Sequence, residues 1–438
     1  MANPRRVVIT GAGLLSPLGD SPEALHAALL AGRSALGPIT LFPTTGLRCT
    51  QAGEIPAFDA QALLGDRNFR PLDRISRLVA AAAGKALAAS GWRPEMLRQT
   101  EVGLVLGTMF CGVHTIAEFD RRNLTRGPSY ASPLDFANTV INAAAGQTAI
   151  WHDLRGVNST IAGGAASGVQ ALAYAVDLLR SGRLDAVLAG GADELCFETF
   201  YGFYRAGRLC GSAADGEASG AEVPVPFDAR RNGFALAEGA ALLMLEEAES
   251  AARRGATVLG EIHGHGGAFD PSRGEDGGRA ARAVARAIGA ALADAGIAAD
   301  RVGAVSAAAD GGVLLDRHEA AGLESVFSGC RALPVTAVKS MLGEPLGASG
   351  PLQVIDLLET MRDGALPGIR GLEELDPVFP RAVLATSPEA RSVDFSSAPF
   401  AVVDAVGFDG QCAALVLGPA GPAMVGHGDG GGGGGGSR

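Results

Sequence analysis

The chain repeats part of its own sequence about 200 residues further on. Two short patterns recur in the same order in its two parts. The first is Val-Gly-x-Val at 102–105 and at 302–305, and the second is Ala-Ser-Gly at 166–168 and at 348–350. Each Ala-Ser-Gly precedes a similar apolar segment, VDLL at 176–179 and IDLL at 355–358. Two echoes in one order predict a duplicated fold with similar halves at 1–255 and 256–418.

Short aliphatic runs that end at Gly or Asp predict buried strands, and the alanine-rich segments between them predict helices. The strand runs are 7–10, 102–107, 185–193, 241–246, 302–309 and 400–408. The helical segments are 78–89, 166–179, 247–254, 279–295 and one that begins after Ser21, with Pro22 in its first turn, and ends at Gly32. Strands alternating with helices indicate an α/β protein with mostly parallel sheets.

Composition and charge exclude several classes of protein. Hydrophobic residues make up 47% and charged residues 19% of the chain, which excludes global disorder. The net charge of −11 argues against a nucleic-acid partner, since phosphates attract basic surfaces. The uncharged stretch 156–176 is long enough to span a bilayer, but its Asn, Ser, Thr and Gly content argues against a membrane span.

The cysteines and the two ends of the chain predict its compartment and its tail. The six cysteines are scattered without a CxxC pair, and the sequence MANPRRVVIT has no apolar signal region. We therefore expect a reduced, cytoplasmic protein. Residues 419–438 are dominated by glycine and are expected to form a flexible tail.

Four segments in order carry a family resemblance. They are VVITGAGLLSPLG (7–19), PFDARRNGFALAEGAALLMLEE (226–247), VKSMLGEPLGASG (338–350) and VGFDGQCAALVL (406–417). Together they resemble the landmarks of β-ketoacyl synthases, the condensing enzymes of fatty-acid and polyketide assembly. The resemblance implies the thiolase-like fold, an α/β architecture in which two similar halves form an α-β-α-β-α five-layer sandwich. It also implies an obligate dimer, and no cofactor or metal is expected.

The catalytic groups of that family are absent at the matching positions. Condensation there uses a cysteine nucleophile and two histidines that stabilise the enolate and the thioester oxyanion. By the family motifs, Ala165 stands in the place of the cysteine and Ala308 in the place of the first histidine. Glu344 replaces the second histidine, while Lys339 of the same motif is retained. The sequence therefore predicts no catalytic residue for condensation in this chain.

One branch of the family has this profile: the chain-length factor, or ketosynthase β subunit, of type II polyketide systems. It lacks the nucleophile and pairs with a catalytic ketosynthase, as a heterodimer or a dimer of heterodimers. Many members carry glutamine where this chain has Ala165. The resemblance implies a subunit that shapes the tunnel controlling chain length, for an aromatic or a polyene product, and that meets acyl carrier protein through the complex.

Five bulky residues are candidates for lining that tunnel or the subunit interface. They are Met109, Phe110, Leu134, Phe136 and Phe408. The resemblance places the segments around 109 and 134 near the subunit interface, where side chains of one subunit close the bottom of its partner's acyl tunnel. The simpler interpretation is core or dimer packing. Phe408 matches the family's Gly-Phe-Gly-Gly loop, with Asp409 in place of a glycine, which predicts reduced hinge freedom.

Two other functions stay open. A repurposed fold could use Glu344, Asp310 or Lys339 to decarboxylate or hydrolyse thioesters. Alternatively, a homomeric protein could store acyl chains. For Lys339 we expect a structural role, paired with Glu238 or Glu344, because an unpaired buried amine is costly.

Three further side chains could carry other chemistry. His263 and His265 share one face of a presumed strand and could bind a metal, but no third ligand supports such a site. We therefore expect them to be surface or hydrogen-bonded histidines. Ser167 does not stand in a GxSxG motif, which argues against a serine hydrolase.

Overall fold

A computed structural model describes residues 5–55, 58–212, 222–380 and 383–421. Most of the predicted glycine-rich tail, residues 422–438, lies outside these ranges. The predicted boundary between the halves, at residues 255 and 256, falls in a connection between a helix that ends at Arg253 and a strand that begins at Gly260.

The strands and helices alternate along most of the chain. The strands are β1 Val7–Leu15, β2 Leu36–Pro38, β3 Gln51–Gly53, β4 Gly103–Gly107, β5 Asn158–Ile161, β6 Ala186–Asp193, β7 Gly239–Glu247, β8 Gly260–Phe269, β9 Val302–Ser306, β10 Leu333–Thr336, β11 Ala365–Leu366, β12 Leu384–Ala385, β13 Arg391–Ser392, β14 Phe400–Val406 and β15 Gln411–Gly418. The helices are α1 Pro22–Leu30, α2 Ala60–Leu64, α3 Arg74–Ala89, α4 Pro94–Leu97, α5 Val113–Arg126, α6 Pro133–Phe136, α7 Ala143–His152, α8 Ser167–Arg180, α9 Phe197–Arg205, α10 Ala248–Arg253, α11 Gly277–Ala295, α12 Val313–Phe327, α13 Lys339–Leu342 and α14 Ser349–Asp363.

The main sheet has the same strand order in its two halves. One half runs β1-β7-β6-β4-β5 and the other runs β8-β15-β14-β9-β10, with β12 added in parallel beside β10, and antiparallel pairing of β1 with β8 joins them. In each half the first two pairings are antiparallel and the next two are parallel. The expectation of mostly parallel sheets is therefore wrong, because the composition of a buried strand does not reveal its direction.

Helices cover both faces of the sheet and also fill its middle. α3 and α7 lie outside the first half, and α11 and α12 lie outside the second. Between the halves, α8 packs against β4 and β6 of one half and against β8 and β15 of the other. α14 likewise contacts β6, β7 and β14. Both central helices are buried over most of their length, which gives the α-β-α-β-α thiolase-like sandwich.

The sequence echoes mark equivalent elements. β4 and β9, which carry the Val-Gly-x-Val pattern, occupy the same place in the two strand orders. The two Ala-Ser-Gly patterns start the two central helices, and a 3-10 turn precedes each helix. One predicted strand is too long, because β9 ends at Ser306 and the predicted residues 307–309 form the loop after it. The predicted helix after Ser21 is α1, which this serine caps by accepting a hydrogen bond from the amide of Ala24.

A buried histidine joins α1 to the central helix α14. His26 is 3% exposed, with Nδ1 2.7 Å from Asp356 Oδ1 and Nε2 3.3 Å from Asp363 Oδ2. Burial lowers the pKa of His26, but the hydrogen bond and charge of Asp356 outweigh it, and the net shift is upward. The imidazolium therefore stabilises the fold fully below the unfolded pKa, and this contribution is lost as pH rises through the folded pKa.

We expect the free energy of unfolding to fall as pH rises above about 6.5, the ordinary pKa of histidine, and part of this fall to disappear in His26→Gln. Urea denaturation at several pH values measures both proteins. The difference between them isolates His26 from other titrating groups. An unchanged slope in His26→Gln would show that this contact does not respond to pH.

Candidate functional site

Ala165 lies where the chain enters the buried helix α8. It belongs to the 3-10 turn Gly164–Ala166 and is 4% exposed. The carboxylate of Asp409 covers this turn, since a Cβ on Gly164 would lie 2.9 Å from Asp409 Oδ2. A methyl group can neither attack a thioester nor carry an acyl chain. The place where a helix N-terminus would activate a thiol therefore holds no nucleophile.

The backbone of Ala308 joins a network of buried charged groups after β9. Its N–H donates to Glu319 Oε1 at 2.5 Å and to Asp404 Oδ1 at 3.3 Å, while its carbonyl accepts from Lys339 Nζ at 2.7 Å. Burial and the Asp404 carboxylate raise the pKa of Glu319 well above its ordinary value. Burial also raises the pKa of Asp404, to about 6. Residue 308 thus contributes only its backbone and a methyl group to this network.

Lys339 and Glu344 form a buried ion pair. Lys339 Nζ lies 2.6 Å from Glu344 Oε2, and the side chains are 4% and 1% exposed. Of the two partners expected for Lys339, the structure shows Glu344, whereas Glu238 pairs with Arg74. Burial lowers the pKa of Lys339, but the charge of Glu344 outweighs it, and the net shift is upward.

The second oxygen of Glu344 is also engaged. Oε1 accepts hydrogen bonds from the amide of Leu346, at 2.8 Å, and from the hydroxyl of Ser349. Both oxygens of this carboxylate are therefore committed to lysine, amide and hydroxyl donors. A carboxylate held in this way structures the start of α14 and is not poised to abstract a proton.

Asp310 is one of three buried acids in this region, with Glu319 and Asp404, that have an oxygen without a hydrogen-bond partner among the described residues. Its Oδ1 accepts from the amide of Gly312 at 2.8 Å, and its Oδ2 has no hydrogen-bond partner among the described residues. Burial and the nearby carboxylate of Asp316 raise the pKa of Asp310 to about 8, against the opposing charge of Lys339. Asp310 is thus protonated at neutral pH and could donate a proton, but it is not a nucleophile in that form.

The hydroxyl and thiol groups nearby are not activated. Ser167 is fully buried, and its hydroxyl has no hydrogen-bond partner within the described ranges, so no base deprotonates it there. Burial raises the pKa of Cys111 to about 12 and that of Cys210 to about 12. These cysteines are therefore thiols at neutral pH and poor nucleophiles.

The two histidines on one strand face have other partners. His263 and His265 both lie on β8, as expected. His265 Nε2 lies 3.0 Å from Asp177 Oδ1, and His263 Nε2 lies 3.2 Å from the carbonyl of Pro419. The described part of the chain contains no group of three or more His, Cys, Asp or Glu side chains that could hold a metal ion.

The structure brings three of the five tunnel candidates together. The ring of Phe408 stacks on Phe234, with centroids 5.1 Å apart, and meets Phe203 edge-on at 5.6 Å. Phe203 in turn contacts Phe110 at 5.9 Å, and Met109 packs against the same cluster. Met109, Phe110 and Phe408 therefore line one apolar region.

The other two candidates lie on the surface of the chain. Leu134 and Phe136, on α6, are 57% and 63% exposed. Phe136 contacts Phe119 of α5, with centroids 5.8 Å apart. Other large apolar side chains between 124 and 150 are also exposed: Leu124, Tyr130, Val140, Ile141 and Ile150. We call these seven residues the apolar face.

A cavity opens beside Phe408 and does not reach residues 165, 308 and 344. Its lining includes Arg208, His318 and Leu314 as well as Phe408. Ala165, Ala308 and Glu344 are not part of that lining. All three are at most 4% exposed. Residues 165, 308 and 344 are therefore buried away from this opening.

Two family models match the chain in sequence. The model described as "Beta-ketoacyl synthase, N-terminal domain" matches residues 4–251, and the one described as "Beta-ketoacyl synthase, C-terminal domain" matches residues 259–373. The chain belongs to the β-ketoacyl synthase family. Membership explains the duplicated sandwich of this β-ketoacyl synthase family member.

Similar proteins include both catalytic and β-subunit relatives of this β-ketoacyl synthase family member. The ketoacyl synthase beta subunit of the tetracenomycin polyketide synthase from Streptomyces glaucescens is 36% identical over 430 residues, which cover 95% of this chain and 99% of that protein. The 3-oxoacyl-[acyl-carrier-protein] synthase 2 of Vibrio cholerae is 30% identical over 419 residues, 94% of this chain and 99% of that protein.

Among solved structures, the ishigamide ketosynthase/chain length factor superimposes with a TM-score of 0.85 at 31% identity. The match covers 96% of this chain and 100% of that chain. The chain is therefore similar to the ketosynthase and chain-length-factor proteins of type II polyketide systems. Within its described residues, no helix has the length and apolar character that crossing a membrane requires.

Three buried carboxylates that bind backbone groups near these positions were not predicted from the sequence. Glu319 and Asp404 bind the backbone of residue 308, and Asp193 binds the loop after β4. The sequence carried a signal for Asp404 and Asp193, since each is a carboxylate in an otherwise apolar strand run. A charge at such a position must be buried with donors around it.

Proposed function

We propose that this chain is the non-catalytic chain-length-factor subunit of a type II polyketide synthase. It pairs with a catalytic ketosynthase and shapes the tunnel in which the polyketide grows. The observation that carries the proposal is the state of the three positions where the family keeps its reactive groups. Ala165 and Ala308 present methyl groups, and Glu344 is locked to Lys339.

The chemistry of condensation supports this reading. A thioester-bound chain needs a thiolate to receive it, and the enolate needs neutral or positive donors. A carboxylate at residue 344 would repel a developing enolate. This subunit thus contributes structure, and the partner contributes the nucleophile.

A free strand edge gives the partner a place to bind. Among the residues that the structure describes, β5 is the terminal strand of the main sheet and pairs only with β4. The amide of Leu104 donates to the carbonyl of Val157, and that of Thr108 donates to the carbonyl of Ile161. Because successive residues of a strand face alternate sides, the N–H and C=O of Asn158 and Thr160 point away from β4. These groups can pair with a strand of the ketosynthase, beside the apolar face.

In this proposal the loop after β4 closes the acyl tunnel. We call residues 108–111 the gate loop. It carries Met109 and Phe110, and Phe408 lies in the same aromatic cluster. Leu134 and Phe136 belong to the apolar face and would contact the partner directly. Bulk on the gate loop would shorten the tunnel, and smaller side chains there would lengthen it.

One observation favours the repurposed-enzyme alternative. Asp310 is buried and protonated near neutral pH, with one oxygen free of partners among the described residues. Such a group could protonate a leaving thiolate or an enolate. Thioester turnover by the isolated chain that disappears in both Asp310→Asn and Glu344→Gln would establish this alternative.

The isolated chain is expected to stay unacylated and to perform no condensation when mixed with acyl and malonyl carrier protein. The reason is that residue 165 has no atom that can accept an acyl group. Intact-mass spectrometry of the chain and product analysis by liquid chromatography measure both outcomes.

Co-expression with the catalytic ketosynthase of its gene neighbourhood should yield a 1:1 complex that elongates malonyl carrier protein. Changing the ketosynthase's nucleophilic cysteine to alanine should abolish that activity. A homomer of this chain that elongates unaided would refute the proposal. A homomer that only retains acyl chains, detected by native mass, would instead support a storage protein.

A further inference from the structure

Asp193, at the end of β6, is the hub of a buried hydrogen-bond cluster. The side chain is 1% exposed. Five groups from two other segments donate to its two oxygens. Oδ1 accepts from Thr108 Oγ1 at 2.8 Å, Phe110 N at 2.9 Å and Cys111 N at 3.0 Å, and Oδ2 accepts from Met109 N at 2.8 Å and Gly347 N at 2.9 Å.

All five partners are donors, which is the arrangement that an ionised carboxylate requires. Within the described part of the chain, Asp193 forms no ion pair with a cationic side chain. Burial raises the pKa of Asp193, and the hydrogen bonds from these donors, most of them amides of the gate loop, oppose that shift. Loss of the carboxylate would leave several buried N–H groups without an acceptor.

The gate loop also holds a strained residue. Cys111 has a φ of 51°, in the left-handed region that non-glycine residues rarely adopt. Its amide donates both to Asp193 and to Thr108 Oγ1, at 2.8 Å to the latter. A conformation of this kind persists only where its surroundings hold it.

Close packing ties the same cluster to the start of α14. The 3-10 turn Leu346–Ala348 meets the ends of β4 and β6, and a Cβ on Gly347 would lie 2.8 Å from both Asp193 Oδ2 and Thr108 Cα. A Cβ on Gly191 would lie 1.9 Å from the carbonyl oxygen of Gly347. The gate loop therefore cannot shift toward this turn without displacing backbone.

We propose that Asp193 is the positioning residue that fixes the gate loop, and that it thereby sets how far the acyl tunnel extends past Met109 and Phe110. This inference rests on the proposed function, because the loop has a tunnel to close only in the complex with a ketosynthase. Asp193 touches no substrate and acts through the loop. Chain length then depends on a buried carboxylate behind the gate as well as on the bulk of the gate residues.

Asp193→Asn tests this inference with almost no change in volume. The asparagine amide has one acceptor oxygen. Its NH₂ group replaces the other carboxylate oxygen and there faces hydrogen-bond donors, with which it cannot bond. With its oxygen in the Oδ1 position, the amides of Met109 and Gly347 lose their acceptor. The gate loop is then released from the turn before α14.

The expected result is a broader product distribution with more long chains. The ratio of longer to normal products should change about tenfold, since losing one hydrogen bond to a charged group changes an equilibrium constant by a factor of that order. The variant is co-expressed with the ketosynthase and the carrier protein, and products are sized by mass spectrometry. Asp356→Asn is the matched control, because Asp356 is also fully buried but bonds to His26, away from the gate loop. It should lower yield and leave the length ratio unchanged.

The outcomes separate the inference from the function on which it rests. If wild-type chain and ketosynthase form no active complex, the proposed function itself fails. If the complex is active and Phe110→Ala shifts the length ratio while Asp193→Asn does not, the inference about Asp193 is overturned alone. Equal shifts in Asp193→Asn and Asp356→Asn would also overturn it, since they would reflect general loss of stability.

Discussion

Replacing Lys339 by methionine is expected to lower the free energy of unfolding by about 3–5 kcal/mol, the usual cost of leaving one member of a buried ion pair without its partner. Glu344 would remain 1% exposed, with one oxygen facing an apolar side chain. The carbonyl of Ala308 would lose its donor as well. Urea denaturation of the variant and the wild-type chain measures the difference.

A double variant separates the loss of charge pairing from the loss of packing. Lys339→Met combined with Glu344→Gln removes both charges, and the amide oxygen of glutamine can still accept the hydrogen bonds from Leu346 and Ser349. We therefore expect the double variant to recover most of the loss. A loss below about 1 kcal/mol in Lys339→Met alone would mean that the pair is not buried and coupled as the geometry indicates.

Thr160→Pro is expected to abolish the 1:1 complex with the ketosynthase, with an increase in dissociation constant of about 100-fold or more. The N–H of Thr160 points away from β4, so proline removes a hydrogen-bond donor from the free edge and leaves the ladder to β4 intact. Its ring also occupies space that an added strand would need. Analytical ultracentrifugation of the co-purified subunits measures the effect.

Thr160→Val is the matched control for this variant. Valine keeps the backbone N–H and the β-branched shape, so the complex should persist. Circular dichroism of the isolated chains should show that both variants keep the fold, since β5 is an edge strand. Full complex formation by Thr160→Pro would rule out pairing through β5 and would leave the apolar face as the remaining contact.

The predictions for Lys339→Met and Thr160→Pro test two parts of the proposed function, the structural role of the ion pair and the pairing of subunits through β5. The Lys339–Glu344 ion pair is a buried structural contact, and under the proposed function the edge of β5 offers a surface for the ketosynthase. A subunit of the proposed kind would act by shaping its partner's tunnel. The gate loop connects the two features, because Asp193 joins it to the turn that follows Glu344.

Some features could be read directly from the sequence. The echoes predicted the duplication, since equivalent elements at equivalent places in two halves keep similar local patterns. Ser21 and Pro22 predicted the start of α1, because capping depends on a few adjacent residues. The residues at 165, 308 and 344 could be compared with the family motifs directly, because the presence or absence of a functional group is a property of the residue itself.

Other features were decided by the tertiary structure. Strand direction is set by which strands meet, so the antiparallel pairings of β7 and β15 were not predictable from composition. Lys339 pairs with Glu344, five residues further along the chain, whereas Glu238 pairs with Arg74 of α3, and only the tertiary structure decided between these two carboxylates. The contacts of Asp193 also depend on the tertiary structure, because they form only where β4, β6 and the turn before α14 come together. The sequence thus determined which groups are present and absent, whereas folding determined which of them lie within bonding distance, because burial turns an isolated charge into a requirement for specific neighbours.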